Sequence, residues 1–312
     1  MASQAPAFQG VALRQIPKET FNTPTQLALQ RFRRNSLAVG GLVIVVLFAV
    51  IALTAGFTAP FDPNYQSSTA QNAQPGTFNE EIGKVNTLGS DDLGRDVLTR
   101  LMYGSRVSLA VGLVSEGVIL LLGVPIGLAA GFFGGVVDNA LMRFTDIMYA
   151  FPDLLFVIII VQVFGRSLFV IFIALGVTSW VTMARLVRGQ VLQVKQMDYV
   201  LSARSIGARS MALMARHILP NILGPIAVVG AIHGQATLGI PGAIIAEATL
   251  TYLGLGVDPS TPTWGTMVNA AFQSIYSHPE QVLFPAFAIG VLTLSFTFVG
   301  DGVRDAFDPR SK

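Results

Sequence analysis

The sequence predicts an all-helical membrane protein, a bundle of six spans. Three observations lead there. Hydrophobic residues make up 52% of the 312-residue chain and charged residues only 12%, roughly half the charged share of a soluble domain. Apolar runs long enough to cross a bilayer recur along the chain, and they are continuous, which excludes the alternating pattern of a spanning β-barrel. The basic residues gather between particular runs and so give the chain a sidedness.

The elements follow in order. Residues 1–34 are rich in Gln, Pro, Thr and Ala and read as a flexible cytoplasmic N-terminal tail. Arg31, Arg33 and Arg34 then abut the uncharged run 37–59. That is long enough to span, and its basic flank places its start in the cytoplasm. Residues 60–106 read as a long external loop, with six acids against four bases. Further spans are expected at about 107–132, 138–164, 168–186, 220–254 and 281–299. Between the fourth and fifth lies a cytoplasmic loop, 191–219. The segment 185–216 holds six Lys or Arg and a single acid, Asp198, whereas 257–280 holds no base. This bias puts both termini and the basic loop on the cytoplasmic side. Residues 35–312 thus form one six-span domain.

Several function classes lose support at once. No phosphate-binding P-loop is present, since Gly83-Lys84 is followed by Val85 and lacks the preceding glycine. The chain has no cysteine, and its three histidines stand apart in sequence. No catalytic residues and no metal site are therefore assigned. A net charge of +2 gives no footprint for nucleic acid. The N-terminus does not read as a removable signal peptide. No internal repeat is visible, which weighs against many secondary-transporter folds.

Within the spans, Gly123, Gly127 and Gly131 recur every four residues on one helix face. Small residues at that spacing let two backbones approach closely, here within the chain or against another subunit. Glu116, Asp146, His233, Gln235 and Glu247 are polar groups set in apolar runs, where ionisable side chains are expensive. Asp146 is expected to pair with Arg143, three residues earlier. Glu247, followed by Thr249 and Thr251, is placed near the outer interface. His233, Gln235 and Glu247 are the candidates for lining a pathway, with interhelical hydrogen bonding as the alternative. Pro125, Pro152, Pro225 and Pro241 each interrupt a span and predict kinks.

Residues 198–221, DYVLSARSIGARSMALMARHILPN, are too basic to span and too apolar for a solvated loop. Asp198 is expected to cap one short helix and Gly207 to end it. Ser210 is expected to cap a second helix through His217, and Pro220 to begin the fifth span. Physically, such an elbow either lies on lipid headgroups or docks a cytoplasmic partner.

This stretch resembles the coupling loop of binding-protein-dependent ABC importers. The pattern there is Glu-Ala-Ala, three residues, Gly, nine residues, then Ile-x-Leu-Pro. Ala203, Gly207, Leu219 and Pro220 match in register, while Leu201, Ser202 and His217 stand in place of Glu, Ala and Ile. The RHILPN ending is similar to that of the dipeptide, oligopeptide and nickel branch. So are LGSDDLGRDVLTRLMYGSRVSL (88–109), DNALMRFTDIMYAFPDLLF (138–156), WVTMARLVRGQVL (180–192) and EATLTYLGLGVDPSTPTWGTMV (247–268). The Asp-Asp-Leu-Gly-Arg-Asp block resembles the second, C-type permease of a pair.

The resemblance implies a type I importer permease in the bacterial cytoplasmic membrane, without an ATP site of its own. It implies a second homologous permease, two cytoplasmic ATPase subunits or one fused pair carrying ATP and Mg, and an extracytoplasmic binding protein. ATPase coupling falls to Leu201, Ser202, Ala203, Arg204, Gly207, Ala208, Arg209, His217, Leu219 and Pro220. With Leu201 in place of the acid, docking is expected to be more apolar, and Arg204 and Arg209 supply any charge pairing. A peptide is the implied cargo. Alternatives are a proton-coupled carrier using Glu116, Asp146 or Glu247, an ABC permease for nickel chelates or another small solute, and a non-transport scaffold.

Overall fold

The computed structural model describes residues 24–232 and 239–307. The described chain is helical apart from one small hairpin. Residues 24–34, expected within the tail, form helix α1 (Pro24–Arg34). Its Ala28 is buried, and Phe32 meets the chain at Gly302, so this part of the segment packs on the bundle. Asn35 breaks the helix and restarts it by accepting a hydrogen bond from the Ala38 amide, which begins α2 (Ser36–Thr58).

The loop that follows carries its own order. Strands β1 (Thr77–Asn79) and β2 (Lys84–Asn86) pair antiparallel, with Phe78 opposite Val85. Hydrogen bonds from Thr69, Ser67 and Ser68 hold the Glu81 carboxyl down to about 2. The four bases that the charge count left on this loop are all bound by the protein itself. Lys84 reaches the Pro60 carbonyl, Arg95 pairs with Asp91 at 2.7 Å, Arg100 donates to the Pro63 carbonyl and Arg106 to the Ala52 carbonyl. Arg100 and Arg106, which lie in the next helix, fasten the loop and α2 to it, while Lys84 and Arg95 tie the loop to itself.

Asp96 caps that helix, α3 (Val97–Phe133), accepting from the Thr99 amide at 2.7 Å. The predicted loop end at 106 therefore lies inside α3, whose first turns precede the apolar run. Gly134 and Gly135, both at positive φ, turn the chain into α4 (Gly135–Tyr149). Helix α5 (Asp153–Phe164) follows across an 83° bend at Ala150, Phe151 and Pro152. Ser167 caps α6 (Leu168–Val194) through the Val170 amide. Beyond it lie α7 (Asp198–Ser205), the short α8 (Ser210–Ala212), a π-helical turn (Leu213–Ile218) and α9 (Leu219–Ile232). Then come α10 (Ile240–Tyr252), α11 (Trp264–Ala271) and α12 (Pro279–Phe307).

Among the described residues, α2, α3, α6 and α12 are each long and apolar enough to cross a membrane. The bent pair α4 and α5 is long and apolar enough to count as a fifth only if the two helices are taken as one broken span. The remaining expected span, 220–254, is divided between α9 and α10, neither of them long enough alone. Gly239 at φ +101 and Pro241 in the first turn start α10 as a new helix. The six-span expectation thus meets four or five spans by length and composition among the described residues, with α9 and α10 falling within the remaining expected span.

Helices α3 and α6 form the centre. Gly123, Gly127 and Gly131 lie against Met183, Ala184, Val187, Arg188 and Val191 of α6. A Cβ on Gly123 or Gly131 would sit 2.7 Å from Met183 or Val191 Cβ. Trp264, wholly buried, closes the other end: it fills the space above Gly104 and donates to the Leu101 carbonyl at 3.0 Å.

Two ion pairs join α4 to α6. Arg188 binds Asp138 with two bonds, 2.5 and 2.7 Å, and Arg185 binds Asp146 at 2.7 Å while covering the Tyr149 ring. Arg143, the expected partner of Asp146, is therefore not its partner, because the neighbouring helix presents a guanidinium to the same carboxylate. Asp138→Ala is expected to lower stability by about 1–2 kcal/mol, since it removes a bidentate charge-assisted contact at a partly exposed site. Thermal unfolding followed by tryptophan emission in detergent checks it, and Asp146→Ala, at a more exposed pair, should cost less.

Candidate functional site at the α6–α9 elbow

The chain leaves α6 at Lys195, whose ammonium reaches across to the Gly131 carbonyl at 2.6 Å. This ties the end of α6 to the end of α3. Helix α7 then begins. Asp198 is its first residue and not its cap, which falls on Met197 and makes no side-chain bond. Its carboxylate still sits in the first turn, where the helix dipole favours it.

The end of α7 is a Schellman motif. Gly207, at φ +85, donates to the Arg204 carbonyl at 3.0 Å, and Ala208 donates to the Ala203 carbonyl at 3.1 Å. Ala203 and Ala208 pack together against the same apolar cluster, the contact such a motif favours. Ser210 likewise starts α8 without capping it. A separate second helix ending at His217 does not occur. The chain runs continuously from Ser210 into α9 through the π-turn, in which the Leu219 amide donates to the Met214 carbonyl five residues back. Pro220 explains the turn: it lacks a donor and would crowd the carbonyl four residues before it in a regular helix. The wider turn absorbs the ring, and the Asn221 side chain donates to the His217 carbonyl at 2.7 Å.

The elbow has two apolar faces. Inside, Val200, Leu213, Met214 and Ile218 are buried with Phe132 of α3, Val187, Val191 and Val194 of α6, and Ile222 and Ile226 of α9. Ala203, Ala208 and Leu219 pack against this cluster, and the Arg204 guanidinium lies 5.6 Å from the Phe132 ring centre. Outside, Leu201, Ser202, Arg209 and Pro220 are exposed, as are Ile206 (86%) and Met211 (74%). His217 is half-buried. The structure thus brings the ten predicted coupling residues into one compact feature, divided between an inner anchor and an outward surface. The π-turn went unread; a proline ten residues into a helical apolar pattern was its only signal.

The pathway candidates fare differently. His233 and Gln235 lie outside the described residues. Glu247 is wholly buried; it accepts from Thr251 at 2.9 Å, and its other oxygen has no partner among the described residues. Glu116 also keeps one buried oxygen without such a partner. Neither lines the cavity of about 190 Å³ that lies between α3, α5, α6 and α10. That cavity is bordered instead by Asp153, Ser115, Thr178, Ser179 and Thr249, which the sequence reading did not single out. An acid directly after Pro152, inside an expected span, was the available signal.

Comparison with known proteins agrees with this geometry. Residues 123–312 match the family described as binding-protein-dependent transport system inner membrane component. Residues 23–75 match the N-terminal TM domain of oligopeptide transport permease C. The chain is 41% identical to the oligopeptide transport system permease protein OppC of Bacillus subtilis, over 91% of this chain and 88% of that protein. It is 41% identical to the dipeptide transport system permease protein DppC of the same organism, over 92% and 86%. It is 37% identical to the glutathione transport system permease protein GsiD of Pectobacterium atrosepticum, over 95% of both chains. The chain belongs to the binding-protein-dependent transport permeases, integral proteins of the inner membrane.

Proposed function

We propose that this chain is the C-type permease of an ATP-driven importer of dipeptides or oligopeptides. It forms half of the pathway, beside a second homologous permease. Two cytoplasmic ATPase subunits, or one fused pair, bind ATP and Mg and grip the outward face of the elbow, and an extracytoplasmic binding protein delivers cargo. Both termini and the elbow then face the cytoplasm.

One observation carries this reading. The elbow presents Ile206 and Met211 outward while its inner residues share one cluster with α3, α6 and α9. Force applied to the outer face therefore reaches the spanning helices through a single packed body, which is what a two-state element driven by another subunit requires. A proton-driven carrier has no use for such a surface. The relatives named for peptide transport support the cargo class.

The test is reconstitution of the chain with its copurified partners in vesicles holding ATP on the ATPase side. Labelled peptide uptake should require ATP and the ATPases and should withstand a protonophore. Uptake that survives without ATPases and collapses with the proton gradient would assign a proton-coupled carrier. A nickel chelate or glutathione retained by the copurified binding protein would reassign the cargo, and no uptake of any kind would indicate a scaffold.

A further inference from the structure

The cavity between α3, α5, α6 and α10 has a chemical bias beyond its apolar walls. Ser115, on its border, is the midpoint of the 37-residue α3. Three of its hydroxyls have their proton already committed. Ser115 donates to the Phe172 carbonyl at 3.2 Å, Thr178 to the Leu175 carbonyl at 3.0 Å and Thr249 to the Ile245 carbonyl at 2.8 Å. A hydroxyl that spends its one proton on a helix carbonyl keeps only acceptor lone pairs for anything else. Asp153, the first residue of α5, borders the same space, and no described residue forms an ion pair with it. Among the described residues, the lining contains no Lys, Arg or His. The side-chain lining is therefore rich in acceptors, and its one ionisable group among the described residues is the carboxyl of Asp153, which is also open to solvent.

We infer that this cavity is a cargo subsite for an alkylammonium group, with Asp153 as its counter-charge. The ammonium brings three donors and no acceptor, which complements one carboxylate and three hydroxyls that can only accept, and the fourth hydroxyl, Ser179, can accept as well. An anionic group would instead face the Asp153 carboxylate, with the Ser179 hydroxyl as the one lining hydroxyl whose proton is not given to a helix carbonyl. A peptide supplies the required group at its N-terminus, and a lysine residue supplies a second. The inference rests on the peptide-importer reading above and makes Asp153 a specificity-determining residue within it.

The test uses the whole transporter reconstituted with its partners. Uptake of trialanine and of tripeptides carrying one lysine or one glutamate is compared in the wild type, Asp153→Asn and Asp153→Glu. Asn keeps the shape and removes the charge; Glu keeps the charge. Basal ATP hydrolysis by the assembled complex is measured alongside as a check on folding. Asp153→Asn is expected to lower uptake by roughly tenfold, in line with loss of one partly screened charge contact, and Asp153→Glu to restore most of it. A restored loss that is equal for all three peptides assigns the terminal ammonium. A loss concentrated on the lysine peptide assigns the side chain. Wild-type rates in Asp153→Asn, or a loss that Glu does not restore, overturn the inference while leaving the importer reading in place. A wild type that imports none of the three peptides overturns both.

Discussion

A single methyl group at Gly127 is expected to lower the stability of the extracted protein by about 3 kcal/mol. The Cβ of Gly127→Ala would overlap the Ala184 carbonyl and stand 2.7 Å from Val187 Cβ and 3.0 Å from the Arg188 amide. Two of these neighbours are helix backbone and the third is a β-branched stem, so no flexible side chain can move aside. Relief requires α3 and α6 to separate along a seam that also holds Gly123 and Gly131. Separation would unload the cluster that contains Leu128, Val187 and Val191, and with it the inner side of the elbow. Gly117 provides the control on the same helix: nothing lies within 4 Å of its added Cβ, so Gly117→Ala should unfold at the wild-type temperature. Thermal unfolding in detergent, read from tryptophan emission, distinguishes them. Equal melting of Gly127→Ala and wild type would show that the helices are not packed this closely.

The glycine seam illustrates how far the sequence reaches. Spacing alone announced a face that admits a close neighbour, but not which neighbour. The partner is set by tertiary geometry, and α6 supplies it with Met183, Val187 and Val191. The same division recurs at Asp146. An acid three residues from Arg143 satisfies a local rule, yet the structure pairs it with Arg185, thirty-nine positions away. Local periodicity does not encode the angle at which α4 crosses α6. Proline was legible as an interruption and illegible as a degree. Pro125 stays inside an unbroken α3, Pro152 marks an 83° bend, and Pro220 is absorbed by a π-turn. The difference lies in what surrounds each: Phe151 and Pro152 fall where α4 ends, whereas Pro220 is followed by apolar residues buried in the cluster, which reward continuing the helix. The caps expected at Asp198 and Ser210 fall one residue earlier, on Met197 and Arg209, and for Asp198 the first turn also suits its negative charge.

The buried carboxylates mark another boundary. Glu116 and Glu247 were visible as acids in apolar runs, and the structure gives each an oxygen that no described residue satisfies. Sequence identifies such a group as costly; only packing says whether it faces a path or the interior. Glu247 faces the interior beside Thr251, whereas Asp153, which was not among the pathway candidates, borders the cavity.

Replacing Gly207 separates backbone conformation from contact at the elbow. Its φ of +85 lies in the left-handed region, and an added Cβ meets nothing within 4 Å. Sterically the site is open, so the whole penalty of a side chain falls on the backbone, about 1–2 kcal/mol for most residues and more when the residue is β-branched. Asn tolerates this region and should keep the bonds from residues 207 and 208 to Arg204 and Ala203. Val should open them and change the angle between α7 and the π-turn. The inner cluster holds the spanning helices without Gly207, so the permease should still insert and assemble. In the reconstituted complex, Gly207→Val is expected to reduce ATP-driven uptake at least about tenfold, because a strain on the order of 1.4 kcal/mol or more is concentrated on the transmitting joint. ATP hydrolysis should continue, now uncoupled, and Gly207→Asn should transport near the wild-type rate. Normal uptake in Gly207→Val would show that the joint transmits nothing, and equal failure of Asn and Val would place the requirement on the partner's contact with a bare backbone.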